Sequence, residues 1–147
     1  MIIIAHRGNL NGPSDYENNP NYLTSAMYSG YDVEVDVWYT NNGFFLGHDY
    51  PKYPVDSEYL FNINSKAWFH AKNIQALFEL TKRDFNTFYH NTDDAVLTSH
   101  RFLWTYPGKE ITTRSIAVLP EMINENWDIT NAYGVCTDYV NLYKNIK

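Results

Sequence analysis

Cysteine is almost absent. A single residue, Cys136, excludes an internal disulfide framework and any zinc cage built on cysteines. Basic character is also scarce: the formal net charge is −6 and no basic patch stands out, which argues against nucleic acid as a partner. Long apolar runs are missing too. Met1–Ile4 is apolar but passes straight into Ala5-His6-Arg7, so it reads as neither a signal peptide nor a spanning helix. No stable membrane insertion is expected, and the simplest location is cytoplasmic. Repeats, linkers and low-complexity segments are likewise not seen, so residues 1–147 read as one domain with one core.

What is abundant is aromatic. Phe, Trp and Tyr make up 17% of the chain and thirteen residues are Tyr, giving large side chains with one polar end. Such residues fill a core that reaches the surface, or line a pocket. The hydrophobic share of 44% is that of an ordinary globular domain.

Along the chain, Ile2–Ala5 reads as a short strand ending at His6-Arg7-Gly8. Residues 9–19 (NLNGPSDYENN) are a loop. Asn19-Pro20 reads as an N-cap followed by proline at the first helical position; Leu23, Ala26 and Met27 keep helical spacing until Gly30. Residues 32–39 alternate as a strand, Asn42-Gly43 signals a turn, and 44–47 is a second extended run ending at His48-Asp49. Residues 66–72 (KAWFHAK) predict a third main strand. Residues 74–81 predict a helix with Ile74, Leu77, Phe78 and Leu80 on or near one face. Residues 85–90, 95–98, 114–119 and 133–138 are strand-like, and 121–131 has room for one short helix. The opening strand–helix–strand order predicts a right-handed crossover and a parallel sheet.

In parallel α/β sheets, chemistry collects at the C-terminal strand ends. His6 and Arg7, Glu34 and Asp36, and His70 and Lys72 fall at three such ends. In YDVEVDVWYT, Asp32, Glu34 and Asp36 share one strand face and three valines the other. Glu34 and Asp36 can converge on one hard divalent ion, Mg²⁺ or Ca²⁺; a solvated acidic face is the competing reading. His6 and His48 suit general acid–base work, and Arg7 suits bidentate grip on a phosphate. A strict Asn42-Gly43 hairpin would pair His48 with Val37 on the wrong face, so a bulge or another register is needed.

The strings IIIAHRGN, ENNP and VEVDVWYTNNGFFLGHD resemble, in order and spacing, the glycerophosphodiester phosphodiesterases, members of the PLC-like phosphodiesterase group. WFHAKN and YGVCTDYV are similar to that family's third and closing strands. The resemblance implies a metal-dependent phosphoric diester hydrolase acting on a glycerophosphodiester or lysophospholipid-type small molecule. It implies His6 and His48 as the catalytic pair, Arg7 and Lys72 on the phosphate, Glu34 and Asp36 as metal ligands, and Glu17 as a supporting residue. His70 stands where the family has a third acidic ligand, which alters site charge and favours softer ions.

The family fold is a TIM barrel, which takes about 250 residues and at least about 200. The expected fold is therefore α/β, a reduced or distorted TIM-type (β/α) barrel with fewer helices than usual. A reduced barrel leaves an edge that a second copy can cover, so a homo-oligomer is in view. A catalytically weakened barrel that binds a phosphorylated small molecule without turnover is the alternative. In residues 88–108, Trp104 reads either as a substrate wall or as an aromatic anchor, and Asp93 or Asp94 as a supplement to the metal shell or as part of a turn-rich connection. Asp138 faces the site or caps a turn; Cys136 reads as a buried small hydrophobe and His100 as a surface residue.

Overall fold

In the computed structural model, which describes residues 1–123 and 126–145, the strands in chain order are β1 (Ile2–Ala5), β2 (Asp32–Thr40), β3 (Gly43–Leu46), β4 (Tyr53–Val55), β5 (Ala67–Ala71), β6 (Thr87–Phe88), β7 (Ala95–Leu97), β8 (Leu103–Thr105), β9 (Ser115–Val118) and β10 (Gly134–Thr137). The α-helices are α1 (Pro20–Tyr28), α2 (Ser57–Ile63) and α3 (Ile74–Thr81). All strands belong to one 10-stranded sheet. Its parallel part runs β8, β9, β10, β1, β2, β5, β6. The β3–β4 hairpin joins β2 antiparallel, and β7 joins β8 antiparallel.

The two faces of β2 explain the layering. Val33, Val35 and Val37 pack outward on Leu23 and Ala26 of α1, Leu60 and Ile63 of α2, and Ala76 and Leu80 of α3. The inner face holds a second core of Ile4, Trp68, Phe88, Trp104, Ile116, Val118 and Cys136. Ile4, Trp68, Ile116, Val118 and Cys136 alternate with residues of the outer clusters, such as Ala5, Phe69, Ala117 and Val135. Just past β7, the Ser99 N–H donates to the Thr87 carbonyl at 2.8 Å and its hydroxyl donates to the Phe85 carbonyl at 2.8 Å.

This architecture corrects the TIM-type expectation. The sheet is mixed, curls as a half-barrel, and carries three α-helices among the described residues. The chain between β8 and β9 is too short to lay a full helix across the sheet, and between β9 and β10 no α-helix forms among the described residues. The helix expected within 121–131 is instead a single 3₁₀ turn at Pro120–Met122; Asn124 and Glu125 lie outside the described residues. The membrane expectation reduces to one statement: among the described residues no helix is long and apolar enough to cross a membrane.

Helix starts follow their caps. The Asn19 side chain accepts from the N–H groups of Asn21 and Tyr22, with Pro20 at the first position. Asp56 caps α2 through Tyr59 N–H, and Asn73 caps α3 through Ala76 N–H. The apolar face of α3 differs from the expected one: Ala76 and Leu80 are buried, whereas Ile74 and Phe78 are exposed.

Candidate metal and phosphate site

The site sits where β1, β5, β6, β8 and β9 end, beside the first half of β2. A cavity of about 500 Å³ is lined there by His6, Arg7, Glu34, His48, His70, Lys72, His90, Trp104 and Tyr106, among others. The strand ends thus assemble all of the sequence-predicted residues except Asp36, buried behind the cavity wall, and Glu17, which holds Arg7 from behind.

His6 follows β1, and Asp138 follows β10. Because Ala5 pairs with Thr137 in parallel register, the next residues become neighbours: His6 Nδ1 lies 2.8 Å from Asp138 Oδ1. Burial pulls the His6 pKa down, but the Asp138 hydrogen bond and the nearby Glu34 carboxylate outweigh it, so the net direction is up. Burial pushes Asp138 up, but His6 and the Asn9 amide hold it below the usual carboxylate range.

Arg7 and Gly8 make the turn that aims this end of β1. Arg7 has φ 52° and Gly8 φ 88°, a left-handed stretch costly for a side-chain residue. A β-carbon at Gly8 would meet the Tyr22 ring at 2.9 Å. The turn directs the Arg7 N–H to Glu34 Oε2 at 3.2 Å and its guanidinium to Glu17 Oε2 at 3.0 Å. Arg7 Nε lies 3.1 Å from Asp36 Oδ2, close in charge but not aligned as a hydrogen bond. Glu17 thus pairs with the Arg7 guanidinium beside the cavity.

Glu34, Asp36 and His70 are all buried, and each offers a ligand atom within 4.8 Å of the others. Register brings this about, since Asp36 pairs directly with His70 across β2 and β5. His70 Nδ1 lies 2.9 Å from Asp36 Oδ1 and 3.5 Å from Glu34 Oε1, and Lys72 Nζ lies 3.5 Å from Asp36 Oδ1. Burial raises Asp36, but His70, Arg7 and Lys72 overcome it and hold the carboxyl well below its usual range. Burial lowers His70, and the two carboxylates reverse this and push it up. Despite these neighbours, buried Asp36 Oδ1 has no hydrogen-bond partner. An unused carboxylate lone pair beside a second carboxylate and an imidazole suits a divalent cation, so this group can hold a metal ion. Asp32, the third acid of the strand, is taken up differently: its Oδ2 accepts from the Trp68 indole N–H at 3.1 Å.

The hairpin resolves the register problem for His48. The observed pairs are Thr40 with Gly43 and Val37 with Leu46, so Asn41 and Asn42 form the loop and every pairing shifts by two residues from the expected one. The ladder then breaks at Gly47, with φ 145°. A β-carbon there would collide with the Tyr50 carbonyl oxygen. Released from the ladder, His48 turns to the cavity, with Nδ1 2.8 Å from Asp49 Oδ1.

Trp104 is 3% exposed; it stacks on Phe88 at 4.4 Å and lies tilted against Trp68 at 5.9 Å between ring centroids. It contributes to the cavity wall mainly as an anchor. Asp93 and Asp94 do not line the cavity: Asp94 pairs with Lys109 Nζ at 2.8 Å, and Asp93 accepts from the Asn91 N–H. His100 is exposed, and Cys136 is fully buried with its thiol pushed well up by burial.

Two fully buried asparagines carried no assigned role in the sequence reading. Asn9 donates to Glu17 Oε1 and to Asp138 Oδ1, both at 2.8 Å. Asn18 donates to Asp36 Oδ2 at 2.8 Å and accepts from the Asp36 N–H at 2.9 Å. Their only sequence signal is their place in HRGN and ENNP. Comparison with protein-family models, curated proteins and solved structures finds no match to this chain.

Proposed function

We propose that the chain is a metal-dependent phosphodiesterase acting on a glycerophosphodiester or a related lysophospholipid-type substrate. One observation carries this reading: His6, His48, Arg7 and Lys72 meet around a single cavity beside buried Glu34, Asp36 and His70. The motif strings that resemble glycerophosphodiester phosphodiesterases supply the same residues in the same order.

Arg7 and Lys72 hold the phosphate by charge. With Asp138 ionised, His6 keeps a proton on Nδ1 and leaves Nε2 free to move one; His48 Nδ1 is hydrogen-bonded to Asp49 Oδ1. One imidazole takes the proton of the attacking hydroxyl, and the other gives one to the departing alcohol oxygen. Glu17, Asn9 and Asn18 position Arg7, Asp138 and Asp36. Glu34, Asp36 and His70 would hold the divalent ion, Mg²⁺ or Ca²⁺, which when bound supplies positive charge toward the phosphate oxygens.

A second reading has its own observation. His70 Nδ1 lies 2.9 Å from Asp36 Oδ1, a contact that competes with a metal ion for the same carboxylate. That favours a fold that binds a phosphorylated small molecule without turnover. Steady-state assay with Mg²⁺ or Ca²⁺ separates the two. Turnover that falls about a hundredfold or more in His6→Ala and in His48→Ala supports the enzyme; saturable ester binding with no turnover under any divalent ion supports the binder.

A further inference from the structure

One carboxylate near the site takes no part in the phosphate or metal chemistry. Glu121 follows β9 in the 3₁₀ turn Pro120–Met122 and reaches across to the end of β10. Its Oε1 accepts from the Thr137 hydroxyl and from the Asp138 N–H, both at 2.8 Å, and its Oε2 accepts from the Tyr143 hydroxyl at 3.1 Å. Three neutral donors from β10 and the segment after it thus converge on one side chain.

The turn that delivers Glu121 is strained. Leu119 has φ 45° and ψ 54°, left-handed backbone that a bulky residue rarely adopts. Its N–H still extends the β9–β10 ladder to the Cys136 carbonyl, 2.7 Å away. Just past that point the chain turns, so that Leu119 and Met122 line the cavity while Glu121, between them, meets residues 137 and 138.

Asp138 is thereby gripped through its backbone on both sides. Its N–H goes to Glu121, and its carbonyl accepts from the Gly12 N–H at 2.7 Å. The Thr137 hydroxyl gives its only proton to Glu121 and accepts from the Tyr139 N–H at 2.9 Å, which fixes the next residue as well. A backbone held this way aims the Asp138 carboxylate at His6 Nδ1 and the Asn9 amide, each 2.8 Å away.

We infer that Glu121 is a positioning residue, holding Asp138 so that its carboxylate fixes the His6 ring. Glu121 does not line the cavity and acts through Asp138 alone. The catalytic consequence rests on the phosphodiesterase reading; the hold on His6 is measurable without turnover.

Three variants test it. Glu121→Met keeps the length of the side chain but removes its oxygens. Glu121→Gln keeps a carbonyl oxygen for Thr137 and Asp138 and can turn an N–H to the Tyr143 oxygen. Tyr143→Phe removes the third donor alone. In ¹⁵N-histidine-labelled protein at fixed pH, the His6 proton shared with Asp138 should give a downfield imidazole N–H signal, identified by its loss in Asp138→Asn. Glu121→Met should lose that signal, whereas Glu121→Gln and Tyr143→Phe should keep it. On a glycerophosphodiester, Glu121→Met should lower kcat by about tenfold with KM within about twofold, and Glu121→Gln should return kcat to within about twofold of wild type. Should Glu121→Met fail to fold, Glu121→Asp, whose oxygens are drawn back by one methylene, carries the same expectations. A folded Glu121→Met or Glu121→Asp that keeps the His6 signal overturns the inference, as does a wild type without it. A rise in KM alone, or equal losses in all three variants, also overturns it, since a merely structural bond gives that pattern. If no diester is cleaved, the phosphodiesterase reading fails and the His6 signal alone decides the role of Glu121.

Discussion

His6 and Asp138 share a 2.8 Å hydrogen bond across a sequence separation of 132 residues. The bond exists because β1 and β10 lie side by side in parallel register, so the first residue past each strand meets the first past the other. Proton chemistry at the start of the chain is therefore set by its closing strand.

Asp138→Asn should lower the His6 titration midpoint, followed by NMR of the imidazole resonances. The wild-type value is raised over an ordinary histidine because Asp138 and Glu34 outweigh burial. The sign for stability follows: this contribution is complete below the ordinary histidine pKa and is lost as pH climbs through the raised value. An unchanged midpoint in the variant would show that Asp138 does not govern His6.

The buried triad makes a prediction about metal. Calorimetric titration should show divalent binding that Asp36→Asn abolishes. His70→Glu should strengthen Mg²⁺ or Ca²⁺ binding by about tenfold, since an added carboxylate supplies charge and a hard oxygen ligand. Unaltered affinity in His70→Glu would remove that position from the ligand set.

Gly47 makes a structural prediction. Gly47→Ala should cost about 1–3 kcal/mol in urea unfolding and also impair His48, because the new β-carbon would strike the Tyr50 carbonyl. Gly43→Ala faces open space and should strain only its own turn, sparing the site. Equal effects of the two on activity would refute the role given to Gly47.

In α3, Leu80→Ala should cost about 2–5 kcal/mol, whereas Phe78→Ala should stay within about 0.5 kcal/mol. Leu80 is fully buried and Phe78 is 61% exposed. The reverse order in denaturant midpoints would contradict the observed helix face.

Local signals were legible where one strand or cap decides them. The Asn19-Pro20 start of α1, the two faces of β2 and the 74–81 limits of α3 all follow from neighbouring residues. The half-barrel was not legible: the TIM-type expectation came from motif likeness at strand ends, and those ends do not specify the layers covering a sheet. Beyond α3 the described strands are joined without α-helices. β4 contains Pro54, and β8 is three residues long; neither offers a pattern that stands out before its partners are known. At the site, Glu34 and Asp36 could be read from strand alternation, while His70 came from the motif likeness and joins them through the β2–β5 register. Asn9 and Asn18 could not, because their meaning lies in which buried carboxylates they hold.

The most direct measurement is ³¹P NMR of a glycerophosphodiester incubated with the protein and a divalent ion. The account expects the diester signal to give way to a phosphomonoester or a cyclic phosphate, with chelator or His6→Ala stopping the conversion. A diester signal that persists with every divalent ion tried, or one that converts equally well without His6, would contradict it.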